Sequence, residues 1–356
     1  MNLNKQNNID LAGLSLEKLT EIVNELGEKK FRAKQVYEWI HKHNVRSYKE
    51  MTNVPKGLKE QLEEKFPFKE FNLDRTLEDS DGTKKFLWKL ADESKVESVL
   101  IPDKKEKLRF TACISTQAGC PVGCIFCATG QSGFSRNLES EEIVRQVIGM
   151  EKQENVKFNN VVVMGQGEPF LNFDNTIKAI ERINEDEGLN IAARKITVST
   201  CGIIDGIEKF SKVPKQFGLA ISLHSADQDT RNVLIPKMKN MPLESLREAL
   251  KRYQDFTNRR ITFEYMLIDN INDSYQDLEK LVKYCKGMLC HVNLLTLNPI
   301  NTNVDGIKNL PILKPSSQKR MKDFEDGLIS EGIPVSTRKS RGKNIAAACG
   351  QLAGGK

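Results

Sequence analysis

The chain has 356 residues, is 39% hydrophobic and carries a formal net charge of +6. That length accommodates a catalytic domain and a smaller accessory one around a sizeable core. No apolar run reaches membrane-helix length, and residues 1–8 lack the apolar stretch of a secretory signal, so no membrane association and a reducing cytoplasmic location are expected.

Residues 1–70 are expected to form a helical accessory domain. Leu16–Leu26, Phe31–His41 and Leu58–Phe66 carry apolar residues at helical spacing, with Ser15 as an N-cap and Asn53, Pro55 and Gly57 as punctuation. Its frequent Lys and Arg suit RNA binding and suit a merely solvated surface equally well. Residues 71–108 read as a short β connector, with strands from about Thr76 onward over Lys84–Leu90 and Lys95–Ile101 and a turn at Asp81-Gly82.

From 109 to 346 strands and helices alternate. The strand candidates are Phe110–Thr116, Asn160–Gly165, Lys195–Thr200, Phe217–Leu223, Ile261–Ile268, His291–Asn298 and Ile333–Ser336. Helical patterns cover Ser140–Lys152, Asp174–Asn184, Leu243–Phe256 and Ser274–Lys286. Successive βα units imply an α/β fold with a parallel sheet covered by helices, and both a doubly wound sheet and a barrel satisfy the pattern. Residues 347–356 read as a mobile tail, with small residues on both sides of Cys349.

Three strands have one polar face. Ser222 and His224 alternate with Leu219, Ile221 and Leu223, Thr197 and Ser199 with Ile196 and Val198, and Thr111, Cys113 and Ser115 fall together. Parallel strands are usually apolar on both sides, so a shared polar face suggests a ligand-lined interior. Satisfied core hydroxyls are the plainer alternative.

In a reducing compartment the 8 cysteines are expected to be ligands or catalysts rather than disulfides. Cys120, Cys124 and Cys127 place three thiols within eight residues and supply no fourth. Structural zinc closes its tetrahedron with four protein ligands, whereas a three-thiolate [4Fe–4S] cluster leaves one iron open to a small molecule. A zinc knuckle completed by a remote residue remains the alternative. The loop Met164-Gly-Gln-Gly-Glu-Pro follows a strand and lies where parallel sheets bind ligands, with Glu168 able to receive an ammonium group. It is not a dinucleotide fingerprint, because the third glycine is absent. Glu97, a carboxylate within an apolar strand, is a candidate for proton work. Arg338, Lys339, Arg341 and Lys343 form a cation cluster suited to phosphate contacts. Cys113 by itself reads as a small buried hydrophobe, and Cys201, Cys285 and Cys290 as structural.

Taken in order, the segments 115–130, 133–138, 164–169, 221–225 and 347–352 closely resemble the dual-specificity ribosomal and transfer RNA adenine-C2 methyltransferases, the RlmN family of radical S-adenosylmethionine (AdoMet) enzymes. The resemblance covers nearly the whole chain and implies a partial (β/α)6 TIM-type barrel with the helical accessory domain. It implies that Cys120, Cys124 and Cys127 hold one [4Fe–4S] cluster and that Gly167, Glu168, Ser199, Ser222, Leu223, His224 and Asn298 bind AdoMet, two molecules being used per turnover. Cys349 is then the methyl carrier, Cys113 its resolving partner and Glu97 the proton acceptor. The implied route transfers a methyl group to Cys349, converts it to a methylene radical, adds it to adenine C2 and frees the product through a Cys113–Cys349 disulfide.

The implied substrates are 23S rRNA and tRNA, with an electron donor such as flavodoxin or ferredoxin and a monomeric enzyme. Two departures from the family pattern stand out: Asn344 and Ala346 near the tail cysteine, where acidic residues are usual, and Gln166 in the glycine loop. Adenine C8 methylation by a sister family and a non-catalytic zinc-dependent RNA-binding protein are the competing readings.

Overall fold

The computed structural model describes residues 10–355 apart from 44, 46, 69–70, 104–105, 107, 299 and 301–312; residues 1–9 and 356 of the expected end segments lie outside the described residues. Its first helices are α1 (Leu16–Glu25), α2 (Phe31–His41) and α3 (Lys56–Lys65). Ser15 caps α1 by accepting from the Lys18 amide. Their apolar faces enclose a core of their own, from Leu11 and Leu19 through Tyr37 and Ile40 to Leu62 and Phe66. Arg145 ties this unit to the remainder, donating from Nε at 2.7 Å and Nη2 at 2.8 Å to the two carboxylate oxygens of buried Asp10.

One ten-stranded sheet organises the chain beyond α3, in the order β1-β2-β3-β4-β7-β8-β9-β10-β11-β12. β1 (Phe71–Glu78), β2 (Lys84–Leu90) and β3 (Lys95–Pro102) are antiparallel, and β3 pairs antiparallel with β4 (Phe110–Cys113). The expected connector therefore extends the core sheet. β1 begins earlier than expected: Phe71 and Leu73 alternate with Asn72 and Asp74 and pack against the core, but a bulge between Leu73 and Arg75 interrupts the period. β5 (Gln117–Gly119) and β6 (Phe134–Asn137) form a separate small ribbon.

The parallel strands are β4, β7 (Asn160–Val163), β8 (Ile196–Thr200), β9 (Gly218–Ser222), β10 (Ile261–Leu267), β11 (Cys290–Thr296) and β12 (Val335–Arg338). Each lies beside its predecessor in the chain, with no reversal of strand order. A doubly wound sheet requires such a reversal, so the winding is that of a barrel. β1 and β12 remain as edges, which makes the barrel partial.

Short α4 (Ala128–Gln131) follows the cysteine triad. α5 (Ser140–Glu154), α6 (Phe173–Asn184), α7 (Ile204–Ser211), α8 (Gln228–Leu234), α9 (Leu243–Thr257), α10 (Tyr275–Cys285) and α11 (Gln318–Ser330) provide the crossovers. Right-handed crossovers in a singly wound sheet put the helices on one face. Ile196, Val198, Leu219, Ile221 and Leu223 meet helix residues such as Val144, Val147, Ile180, Phe210 and Leu250 in the main core. The alternate residues turn inward.

Candidate active site

The triad lies in a loop built to be tight. Cys120 follows β5 and donates its amide to Gly133 O at 2.9 Å, and the Cys127 amide closes a turn onto Cys124 O at 3.2 Å. Gly123 has φ +70°, a left-handed conformation that favours glycine. A side chain at Gly130 would come within 2.9 Å of the Cys124 nitrogen, so glycine there lets α4 sit on the loop. The intervening Val122, Ile125 and Phe126 are buried against Leu234, Ile235, Met238 and Leu297. The three thiols are half-buried and free of disulfides. Burial pushes Cys120 up to about 12 and Cys124 well above the ordinary thiol range, with the neighbouring triad thiols adding to the effect. Such thiols ionise when a cation compensates them. Among the described residues, no three His, Cys, Asp or Glu side chains form a ready chelate for a single metal ion.

The glycine loop packs differently from expectation. A Cβ on Gly167 (φ +106°) would meet Gln117 Cβ at 2.7 Å, and one on Gly165 would meet Ser115 Oγ at 2.6 Å. These glycines therefore admit the segment after β4 as well as leaving backbone accessible. Ser115 is a satisfied core hydroxyl, donating to Glu97 O at 2.5 Å and accepting from the Gln166 amide at 2.8 Å. Glu168 is buried, and its two oxygens accept from the Phe170 amide (3.0 Å) and the Cys201 amide (2.7 Å). Burial raises its proton affinity despite these bonds. Ser199 and Ser222 lie on neighbouring strands with their hydroxyls 3.2 Å apart. The Leu223 side chain belongs to the apolar core, which leaves only its backbone available to the interior. His224 lies beyond the strand at φ +56°, where alternation no longer applies, and its ring meets Phe126 edge-on with centroids 4.7 Å apart. Nδ1 accepts from the Met266 amide at 3.1 Å, and burial, aided by Arg231, depresses the ring to about 3, so it is neutral near pH 7.

In this structure the tail is docked against the triad loop. Gly350 O accepts from the Ala128 amide at 2.7 Å, next to Cys127, and Leu352 O accepts from Thr129 Oγ1 at 2.6 Å. Asn298 donates to Cys349 O at 3.2 Å. Glu97, 3% exposed, accepts from the Ala353 and Gly354 amides at 2.7 and 3.0 Å and pairs with Lys85 at 3.0 Å. Lys85 also donates to Ala346 O at 3.1 Å. The two departures from the family pattern gain a local reason: Asn344 donates from its backbone and side chain to Asp79, and Gln166 Oε1 accepts from the Glu97 amide.

Cys349 is accessible to solvent yet has protein packed closely around it. Burial pushes it up to about 11, with Glu264 raising and Arg338 lowering it. Cys113 shares an apolar cluster with Ala347 and Leu352, the residues flanking Cys349. Its thiol is pushed up to about 12, by burial first and then by Cys349. Cys113 and Cys127 thus both lie near Cys349, which is remote from them in sequence.

Residues 9–67 match the Ribosomal RNA large subunit methyltransferase N-terminal domain, and residues 114–285 match the Radical SAM superfamily. The chain is 42% identical over 354 residues to a probable dual-specificity RNA methyltransferase RlmN of Syntrophomonas wolfei, with 96% of each chain covered. It is 44% identical over 347 residues to the same-named protein of Thermotoga petrophila, covering 96% of this chain and 97% of that one. It superposes on a radical SAM methyltransferase from Sphaerobacter thermophilus with a TM-score of 0.89 at 38% identity, covering 97% of this chain and 99% of the other. The chain belongs to the RlmN family.

Like other RlmN-family members, it is a radical SAM RNA methyltransferase, and the family implies AdoMet and an iron–sulfur cluster as cofactors. The residues present fit both groups. Three thiols without disulfide partners suit an iron–sulfur centre, and Glu168, the Ser199–Ser222 pair and Asn298, whose buried Oδ1 has no hydrogen-bond partner, suit a polar ligand. Sequence reasoning missed Glu264 on β10, which accepts from Asn293 at 2.8 Å, and Asn293 in turn accepts from Ser336 at 2.7 Å. The signal was present as alternation of Thr262 and Glu264 with Ile261, Phe263 and Tyr265, but the apolar residues dominate a strand that pairs with both neighbours. Lys85 and Asp79 were also missed, because nothing local connects a hairpin to a tail some 260 residues away. Thr197 is at the other end of its strand, lining a separate cavity with Arg194 and Arg260.

Proposed function

We propose that this enzyme methylates C2 of adenosine in both 23S rRNA and tRNA, with Cys349 as the methyl carrier and Cys113 as the resolving thiol. The meeting of Cys349 with Cys113 on one side and Cys127 on the other supports the reading. A methyltransferase acting on a nucleophilic atom has no use for two further thiols beside a cysteine triad; an electron-poor ring carbon requires a covalent carrier and a means of release.

Cys120, Cys124 and Cys127 would hold a [4Fe–4S] cluster, with Gly167, Glu168, Ser199, Ser222, Leu223, His224 and Asn298 around AdoMet. Bound together, these groups supply a methyl cation equivalent and, on one-electron reduction, a carbon radical able to remove hydrogen. Cys349 takes the methyl group as a thiolate, and its high proton affinity makes proton removal part of that step. Asn298 and the Ala128 amide fix the carbonyls of residues 349 and 350, which orients the sulfur. Neutral His224 packs the triad loop without adding a cation.

Once the base is attached through the carrier methylene, the radical adduct must give up one electron, which the oxidised iron–sulfur centre would accept, and Glu97 takes the C2 proton. Its charge then falls, so its bonds to the Ala353 and Gly354 amides weaken when Cys113 must reach Cys349. Cys113 attacks the Cys349 sulfur as a thiolate, an S–S bond forms, the C–S bond breaks, and the departing carbon takes the electron pair and a proton. An external dithiol then reduces the disulfide. Exposed Arg338, Lys339 and Lys343 beside the tail, together with the amino-terminal helical domain, supply phosphate contacts for an extruded loop adenosine.

The test is anaerobic reconstitution with iron, sulfide, AdoMet, a reductant and fragments of 23S rRNA or tRNA, followed by nucleoside mass spectrometry. 2-Methyladenosine from both RNAs is expected, with none from Cys349→Ala and a trapped protein–RNA adduct from Cys113→Ala. 8-Methyladenosine, or free turnover by either variant, would overturn the assignment.

A further inference from the structure

Arg231, on α8, is 1% exposed, yet its charge has no ion-pair partner among the described residues. Nη2 donates to Cys201 O, while buried Nε and Nη1 have no hydrogen-bond partner. The groups acting on its charge are burial first, then Cys201, Tyr284 and Cys124. None of these three is an anion while protonated. A guanidinium held by one carbonyl is a poor use of an interior position, since an unpaired buried charge costs more than a single hydrogen bond returns.

The location of Arg231 indicates what compensates it. Three residues further along α8, Leu234 O accepts from the Ile125 amide at 3.1 Å, and Ile125 lies between Cys124 and Cys127. Cys201, which holds Nη2, belongs to the apolar cluster that the triad packs against, and its amide is held by Glu168. Arg231 is therefore directly behind the triad loop, and its field acts on Cys124 and His224.

We propose that Arg231 is the buried counter-charge of the Cys120–Cys124–Cys127 centre, a positioning residue whose charge favours the electron-rich state of the iron–sulfur group held there. The inference rests on the reading that the triad carries such a group. Adding an electron makes the centre more negative, so a nearby fixed cation stabilises the reduced form and removing it lowers the potential.

Iron and sulfide are first measured on reconstituted wild-type protein and on Arg231→Gln and Arg231→Lys. A wild-type protein without iron and sulfide refutes the triad reading itself, separately from the role of Arg231. The reduced centre is then titrated by EPR against redox mediators, without AdoMet. At a fixed potential the reduced-to-oxidised ratio is expected to fall about tenfold in Arg231→Gln, equivalent to about 59 mV for one electron, and to recover in Arg231→Lys. An unchanged potential in a fully loaded Arg231→Gln variant overturns the proposal. So does a change seen only with AdoMet, which would assign the charge to the AdoMet carboxylate. Arg231→Met in the metal-free full-length protein gives an independent readout. Its melting temperature is expected to rise, because the unpaired charge is gone; a fall would mark Arg231 as structural and refute the counter-charge.

Discussion

Glu97→Gln is expected to loosen the Cys349 tail while leaving the barrel folded. In the native chain one Glu97 oxygen accepts from the Ala353 and Gly354 amides and the other pairs with Lys85, whose ammonium also reaches Ala346 O. Hydrogen bonds to a charged acceptor contribute about 1.5–3 kcal/mol and neutral ones about 0.5–1.5 kcal/mol, so neutralising Glu97 weakens the two tail bonds by about 2 kcal/mol together. Lys85, 11% exposed in its side chain, also loses its counter-ion, and breaking a buried pair costs about 3–5 kcal/mol. Assigning about 3 kcal/mol of the total to local opening makes the open tail roughly a hundredfold more populated, at tenfold per about 1.4 kcal/mol. Hydrogen exchange at the 353 and 354 amides reads this directly, and alkylation of Cys349 by a small maleimide gives a second rate. Lys85→Met combined with Glu97→Gln removes the stranded charge. It should restore global stability to within about 1 kcal/mol while the tail amides still exchange fast. Native exchange rates at those amides in Glu97→Gln would refute the latch.

Three further outcomes are expected on the same structural grounds. Gly130→Ala drives a methyl group against the Cys124 nitrogen at 2.9 Å, so iron bound per chain after reconstitution should drop severalfold with the circular dichroism spectrum unchanged. Asp10→Ala breaks a buried two-bond contact with Arg145 and should cost about 3–5 kcal/mol in urea denaturation, starting with the amino-terminal helices. His41 and His224 are both depressed to about 3 by burial, so below pH 6.5 the unfolded chain binds protons that the folded chain refuses. Stability is then full above about pH 6.5 and is lost on acidification towards pH 3, at about 1.4 kcal/mol per pH unit per histidine. His41→Leu should reduce that slope by about 1.4 kcal/mol per pH unit in urea titrations between pH 6.5 and 5, and an unchanged slope would refute it.

Much of the barrel was legible because its periodicities are strong. Ile196 and Val198 alternate with Thr197 and Ser199, and Leu219 and Ile221 with Ala220 and Ser222, because one side meets helices and the other a more polar interior. Phe31–His41 and Lys84–Leu90 coincide with their elements for the same reason. β1 was not legible over Phe71–Arg75, since a bulge between Leu73 and Arg75 cuts short the alternation of Phe71 and Leu73 with polar residues. Gly165 and Gly167 read as ligand-facing in the sequence, yet their closest neighbours are Ser115 and Gln117. Two segments remote in sequence press there, and no local pattern records that.

The sequence by itself determined the family through its ordered motifs, and it displayed three thiols at a spacing that suits a metal centre. Only the tertiary structure decided which other groups join it. Cys113 and Cys349 are 236 positions apart in the chain, and strand pairing with tail docking brings Cys113 against Ala347 and Leu352 on either side of Cys349. Asp79, Lys85 and Glu97 hold a tail some 250 residues downstream, and Arg231 acquires meaning only from the burial that strips it of partners. Covalent reactivity is written in residue type and spacing. Proximity and charge compensation depend on packing between distant segments, which a linear pattern does not carry.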